Sequence, residues 1–236
     1  RSPPGRRRCS VSAGSRFDRT ADRYAAHAAG REWSGFVAWC ECRPTDRVLD
    51  VAGGPGTLAG VLLGSVASVT VLDSSPRLLE HVPDGVQRAV GRAEQLPFDA
   101  AAFDLVTCVN SLHHIARPAR ALDEMARVLA PGGRIVLEDM VADDDGRRAR
   151  RWEEIERLRD PEHGRLIAPG EARGPLQANG LHLDAEELWL RTSEVAPWLE
   201  VAGCTGAAAA RVREMIGASE FEVRVWRARY RRPPAQ

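Results

Sequence analysis

Lysine is missing from the 236 residues; all 33 basic side chains are arginine, set against 33 acidic ones, and the net charge at pH 7 is zero. A chain without an overall field has nothing general with which to attract nucleic acid or an anionic membrane surface. The balance favours a small acceptor of no charge or of mixed charge. Cysteine is scarce as well. Cys9, Cys40, Cys42, Cys108 and Cys204 form an odd set with no C-x-x-C pair, which fits neither a disulfide framework nor a zinc site. Reduced thiols, a cytoplasmic location and no bound metal are expected. No apolar run approaches the roughly 20 residues needed to cross a bilayer, so a soluble chain with no membrane partner is expected. The segment from Arg1 to Arg8 lacks the apolar core of a secretory signal, and residues 1–16 are expected to be a disordered tail.

What is present is a 44% hydrophobic composition, enough for one α/β domain of ordinary size over residues 17–236. Residues 17–44 carry aromatic and alanine residues at helical spacing, a helical N-terminal cap. Short apolar runs then alternate with helical stretches. Strands are expected at Arg47–Ala52, Ser68–Asp73, Val86–Val90, Phe103–Val109 and Arg134–Met140, with helices at Thr57–Gly64, Pro76–His81 and Pro118–Leu129. Such alternation specifies a parallel sheet covered on both faces. The charged stretch at 141–168 reads as an inserted lid. A helix at Pro169–Asn179 stopped by Gly180, a strand at Leu181–Arg191 and one helix over Ser193–Ile216 follow. The period-two pattern of Phe221–Tyr230 makes a last, half-exposed strand.

The run Val48-Leu-Asp-Val-Ala-Gly-Gly-Pro-Gly56 places a strand, a turn of small residues and a helix start in succession, so that a ligand can come close to bare backbone and to the free N–H groups of the helix. NAD, FAD and other adenine nucleosides all use such turns. Pro55 and the carboxylate of Asp50 do not belong to a G-x-G-x-x-G signature, and no G-K-[ST] follows. In order after this run come Val71-Leu-Asp73-Ser-Ser, Gly91-Arg-Ala-Glu-Gln-Leu-Pro-Phe98, Phe103-Asp-Leu-Val, Ser111-Leu-His-His-Ile115 and Arg127-Val-Leu-Ala-Pro-Gly-Gly-Arg134.

These motifs resemble those of class I S-adenosylmethionine (SAM)-dependent methyltransferases, in particular the family similar to the ubiquinone/menaquinone C-methyltransferases. The resemblance implies a Rossmann-like, doubly wound, seven-stranded and mostly parallel sheet with the last strand antiparallel. It implies SAM as cofactor. Asp50, Ala52, Gly53, Gly54 and Gly56 would lie along its methionine part, Asp73 with Ser74 beside it would take the ribose hydroxyls, and Ala93 and Glu94 would meet adenine. Arg92 departs from the pattern, since relatives carry an acceptor Asp there and arginine cannot accept; it could stack on adenine instead. Leu78 and Leu96 would sandwich the ring, and Tyr24 would close over the donor.

Methyl transfer is an in-line displacement that mainly requires alignment in a site shielded from water. If a proton must leave the acceptor, His113 and His114, just past the fourth strand, are the candidate bases. Asn110 and Ser111 would touch the donor or the substrate, and Glu138, Asp139 and His163 are further residues that could face it. Trp33, Trp39, Trp152 and Trp198, in the cap, lid and C-terminal helices, suit an aromatic or polyketide-like small molecule. Two functions follow: methylation of a small-molecule acceptor, for example in secondary metabolism, or a SAM-bound reaction without methyl transfer such as a cyclisation, which Arg92 keeps open. The oligomeric state is left open, a homodimer included.

Overall fold

A computed structural model describes residues 16–235. The tail expected over 1–16 lies outside that range except for Arg16, which opens the first helix. Three short helices come first: α1 (Arg16–Arg19), α2 (Ala21–Ala29) and α3 (Ser34–Cys40). The alternating part follows as β1 (Arg47–Val51), α4 (Thr57–Leu62), β2 (Ser68–Asp73), α5 (Pro76–Leu79), β3 (Gln87–Val90), β4 (Phe103–Val109), a 3-10 turn at Leu112–His114, α6 (Pro118–Val128) and β5 (Leu129–Met140). After it come α7 (Gly146–Arg159), α8 (Pro169–Ala178), β6 (His182–Glu194), α9 (Val195–Val201), α10 (Gly206–Ile216) and β7 (Glu220–Arg231).

The seven strands form one sheet in the order β3-β2-β1-β4-β5-β7-β6. Pairings among β1 to β5 are parallel, while β7 runs antiparallel to both β5 and β6. This is the Rossmann-like sheet anticipated from the motifs, with the final strand reversed. The strand alternation sorts its core in two. Leu49, Val51, Val106, Cys108, Ile135 and Leu137 pack on one face, against α6 and α8. Val48, Val69, Val71, Leu105 and Val136 point the other way, toward Phe36, Leu58 and Leu62 of α3 and α4. Period-two geometry requires this split, and burial on both faces explains why these strands are nearly continuous runs of Val and Leu. A separate cluster joins α7, α9 and α10 through Ile155, Val195, Leu199, Val212 and Met215.

Several boundaries differ from the sequence reading. The helix expected over Ser193–Ile216 is two helices, broken at Gly203, whose φ is +68°, and its first two residues, Ser193 and Glu194, belong to a longer β6. β5 starts at Leu129 rather than Arg134, taking over the last residue of the expected helix and running through the Pro-Gly-Gly segment. Apolar spacing alone did not place these ends: Gly203 and Gly206 interrupt the first segment, and the strand of the second runs through Pro131-Gly-Gly133. α4 and α5 are also shorter than expected. The cap is pinned to the sheet by Arg134, fully buried, which donates to Asp46 at 2.6 Å and to the carbonyls of Cys40 and Glu41 at the end of α3. No helix among the described residues is long and apolar enough to cross a membrane.

Candidate active site

β1 and β4 are neighbours, yet β1 leads on to β2 and β4 to β5 on opposite sides. The sheet order therefore reverses between them, which opens a crevice past their C-terminal ends. The two loops that leave those ends build its walls. The loop after β1 departs sharply: Ala52 and Gly54 have φ of +53° and +56°. A side chain on Gly53 would place its first carbon 2.4 Å from Asp50 Oδ2, and Gly54 lies open toward Tyr24 and Leu78. The loop after β4 has Asn110 at φ +50°. Two non-glycine residues in left-handed geometry at one crevice is strain held in place by the surroundings. Ser111 supplies one restraint, its hydroxyl bonding the carbonyls of Ala52 (3.1 Å) and Val109 (2.9 Å) and so tying the loops together.

The crevice opens into a cavity of about 890 Å³. Tyr24, Asp50, Ala52, Gly53, Asn110, His113 and His114 line it, so the structure gathers these sequence candidates in one place. Gly54, Gly56, Asp73, Ser74, Arg92, Ala93, Glu94 and Ser111 are not among the lining residues. Gly56 caps α4, and Ser111 is taken up by the loop contacts. Asp73 lies buried at the end of β2, where its carboxylate accepts from the N–H of Gly54 (2.9 Å) and of Ser75 (2.8 Å). Its cover is the cap. Asp18 of α1 accepts from the Ser75 hydroxyl at 2.6 Å, and Asp22 of α2 meets His81 at 2.9 Å. Ala93 and Leu96 are packed in the core. Arg92 extends outward and donates to Glu94 at 3.0 Å, so Glu94 is already engaged by the residue that breaks the motif.

Burial sets the charge state of the acidic pair. It pushes Asp50 up to about 7, against a 2.7 Å hydrogen bond from Thr107, with the charge of Asp73 adding to the rise. It pushes Asp73 up to about 6, against the N–H groups of Ser75 and Gly54. The side-chain oxygen of Asn110 is buried with no partner. Two desolvated carboxylates and an orphaned acceptor around a bare-backbone turn call for a ligand that carries donors and positive charge. The ammonium, sulfonium and ribose hydroxyls of SAM have that character, so the residues present fit the donor that the motifs imply.

At the other end of the crevice, His113 and Asp139 are 3% and 0% exposed, and His113 Nδ1–H donates to Asp139 Oδ1 at 2.5 Å. The N–H groups of Met140 (2.7 Å) and of His113 itself (3.3 Å) hold the carboxylate in place. Burial lowers the His113 pKa, but the charge and hydrogen bond of Asp139 outweigh it and the net shift is upward. His114 moves the other way, well below the usual histidine value, through burial and then the neighbouring His113. Its ring packs edge-on against Phe17 of the cap at 5.1 Å. Adjacent histidines thus have opposite environments.

Of the other residues expected near the acceptor, Glu138, Trp33 and Trp198 line the cavity; Asp139, His163, Trp39 and Trp152 do not. Asp139 stands behind His113, His163 pairs with Glu153 at 3.1 Å, and Trp152 stacks on Trp198 at 5.7 Å. The sequence reading missed Arg31, Trp189, Arg191 and Arg227, which also line the cavity. In an arginine-rich chain no local signal marks them, although the alternation of β6 and β7 could have put Trp189, Arg191 and Arg227 on one face.

Residues 49–137 match the family described as a methyltransferase domain. The uncharacterized methyltransferase YcgJ of Bacillus subtilis (strain 168) is 29% identical over 79% of this chain and 78% of its own length. Its crystal structure superposes with a TM-score of 0.80 over 89% of this chain and 100% of that one, at 23% identity. The ubiquinone/menaquinone biosynthesis C-methyltransferase UbiE of Bordetella parapertussis is 35% identical over 53% of each chain, so this chain spans about half the length of that relative.

Proposed function

We propose that the chain is a class I SAM-dependent methyltransferase, as its matches to a methyltransferase domain and to methyltransferase relatives support, and that it methylates a small organic acceptor, as an enzyme of secondary metabolism, with His113 as the base. The observation that carries this reading is the buried pair His113–Asp139 at the cavity wall. Asp139 takes up Nδ1–H, which leaves Nε2 of the neutral ring as the lone pair available to the cavity. The carboxylate also stabilises the ring once it has taken a proton, the division of labour seen wherever a carboxylate orients a catalytic imidazole.

SAM, when bound, supplies an electrophilic methyl on a positive sulfur. Asp50, Asn110 and the backbone at Ala52–Gly53 would hold its amino-acid end, and Asp73 its ribose. Tyr24 and the cap would keep water away, which matters because the displacement depends on alignment in a dry site. His113 would remove the acceptor's proton as its carbon or oxygen becomes the nucleophile. The cavity's volume and its aromatic lining by Trp33, Phe36, Trp189 and Trp198 suit an acceptor of drug-like size with a flat or apolar body. The relation to a quinone-biosynthesis enzyme makes hydroxylated aromatics and quinols the first acceptors to try.

The test is incubation with trideuteromethyl-SAM and a panel of quinols, phenols and enolisable polyketides, read by mass spectrometry. One labelled methyl on a product, lost in His113→Ala while SAM binding persists, is the expected result. Product that forms from an acceptor with no label incorporated would instead establish the non-methylating alternative.

A further inference from the structure

The molecule's zero net charge conceals a local surplus of positive charge. Three guanidiniums border one wing of the cavity: Arg31 from the loop after α2, Arg191 from β6 and Arg227 from β7. Glu138, whose side chain is 3% exposed, binds two of them, Arg31 at 2.5 Å and Arg227 at 2.6 Å. Arg227 reaches Glu187 as well. The other arginines lining the cavity are also engaged, Arg16 with Asp160 at 2.6 Å and Arg159 with Glu156 at 2.9 Å. Among the described residues, Arg191 is the cavity-lining arginine whose side chain has neither a hydrogen bond nor an ion pair. Glu194, which also borders the cavity, forms no ion pair with it.

A guanidinium remains protonated at any physiological pH and desolvating it without a partner is costly. Burial, followed by the charge of Arg31, holds Arg191 below the usual arginine value, and the charges of Glu138 and Asp139 do not make up the difference. Its position separates it from the donor end. β6 lies four strands from β1 in the sheet order, roughly 19 Å at the usual inter-strand spacing. On β6 the alternation puts Trp189 and Arg191 on the same face, both lining the cavity. A flat apolar wall therefore stands beside a fork of five donors with nothing to bind.

We propose that the acceptor carries an anionic oxygen group, a carboxylate or a phosphate, which Arg191 binds while Trp189 packs on the acceptor's apolar body, making Arg191 the residue that selects the substrate class. This rests on the methyltransferase reading above and deepens it. Planar, bidentate recognition is what arginine does better than any other side chain. Net neutrality of the whole chain is no objection, because the anion meets this wing of the cavity rather than the averaged surface.

The experiment uses the full chain saturated with S-adenosylhomocysteine and three probes that share one apolar body: 2-naphthoate, 2-naphthyl phosphate and 2-naphthamide. Binding is followed by calorimetry and by quenching of tryptophan fluorescence. At least one anion should bind roughly tenfold or more tighter than the amide, as expected for a charge-assisted fork. Which anion wins tells carboxylate from phosphate. That preference should vanish in Arg191→Gln and return in part in Arg191→Lys, with S-adenosylhomocysteine affinity unchanged in both. Equal binding of amide and anions, or a preference that survives Arg191→Gln, overturns the proposal. So does a fall in S-adenosylhomocysteine affinity in Arg191→Gln, because the guanidinium would then serve the donor's own carboxylate. Failure of the wild type to bind S-adenosylhomocysteine at all would instead sink the methyltransferase reading.

Discussion

Asp139 lies 2.5 Å from His113 Nδ1 with neither side chain open to bulk water, while His114, next in sequence, has only a 3.4 Å contact from its Nδ1 to a backbone carbonyl and a carboxylate no nearer than 4.0 Å. One histidine is equipped to gain and lose a proton and its neighbour is not.

The pH–rate profile should show this difference. His113 is raised above its ordinary value of 6.5, and a base works only when unprotonated, so the rate should climb with pH along a limb centred above 6.5. In Asp139→Asn burial loses its main opponent; the limb should move to lower pH and the maximal rate should fall. His113→Ala should cost roughly 10²- to 10⁴-fold, His114→Ala less than about tenfold. A His114→Ala variant as impaired as His113→Ala would reverse the assignment.

Asp50 offers a test of stability against function. Its folded-state value of about 7 lies above the ordinary 3.8, so the stability it contributes is present below pH 4 and is lost as the pH rises through 7. At 1.36 kcal/mol for each pKa unit the penalty at pH 8 is bounded at about 4 kcal/mol. Asp50→Asn should therefore raise the melting temperature of the ligand-free protein at pH 8 and give little at pH 4, while weakening SAM roughly tenfold or more through loss of the carboxylate's charge. Wild-type SAM affinity should likewise fall between pH 8 and pH 5, as Asp50 and Asp73 take up protons. Flat affinity over that range would contradict the assignment of both.

Donor exchange should be governed by the cap. The Asp18–Ser75 hydrogen bond and the Arg16–Asp160 pair, both at 2.6 Å, fasten α1 over the end of β2 and to the residue after α7. Asp18→Ala should speed S-adenosylhomocysteine release roughly three- to tenfold, given the ordinary net worth of one intramolecular hydrogen bond. Stopped-flow fluorescence would read this, and an unchanged off-rate would show that the donor leaves by another route.

Arg134 should matter to stability rather than to chemistry. Arg134→Met leaves Asp46 buried without its partner, and a loss of roughly 3–5 kcal/mol is expected in urea unfolding. Arg134→Met with Asp46→Leu should recover part of it. Additive losses in the double variant would mean that the pair is not the unit that counts.

The crevice past β1 and β4 was legible in the sequence because its elements are local. The turn at Ala52–Gly56, the strands on either side and the His113–His114 dipeptide are contiguous, and sheet topology alone brings the ends of β1 and β4 together. What the sequence could not reveal is pairing across distance. That Asp139 serves His113, 26 residues away, and that Glu138 occupies Arg31 and Arg227 follow from strand register and the path of the cap. Arg191 is distinguished only by being left over after those pairings, a property no window of sequence contains. The helix break at Gly203 was hidden for a simpler reason: apolar residues at helical spacing before it and the alanine run at 207–210 after it continue one pattern across it.

β7 lies inside the sheet although it follows every other strand in the chain. During synthesis β1 to β5 can pair as they emerge, whereas β6, bonded only to β7, must wait with its row of backbone groups unmatched until Glu220–Arg231 has left the ribosome. Trp189 and Arg191 are carried on that waiting strand. The half of the cavity that chooses what is modified is thus assembled after the half that holds the reagent, and damage to the last dozen paired residues would leave a nascent protein with an intact nucleotide crevice, no specificity and an open edge prone to aggregation.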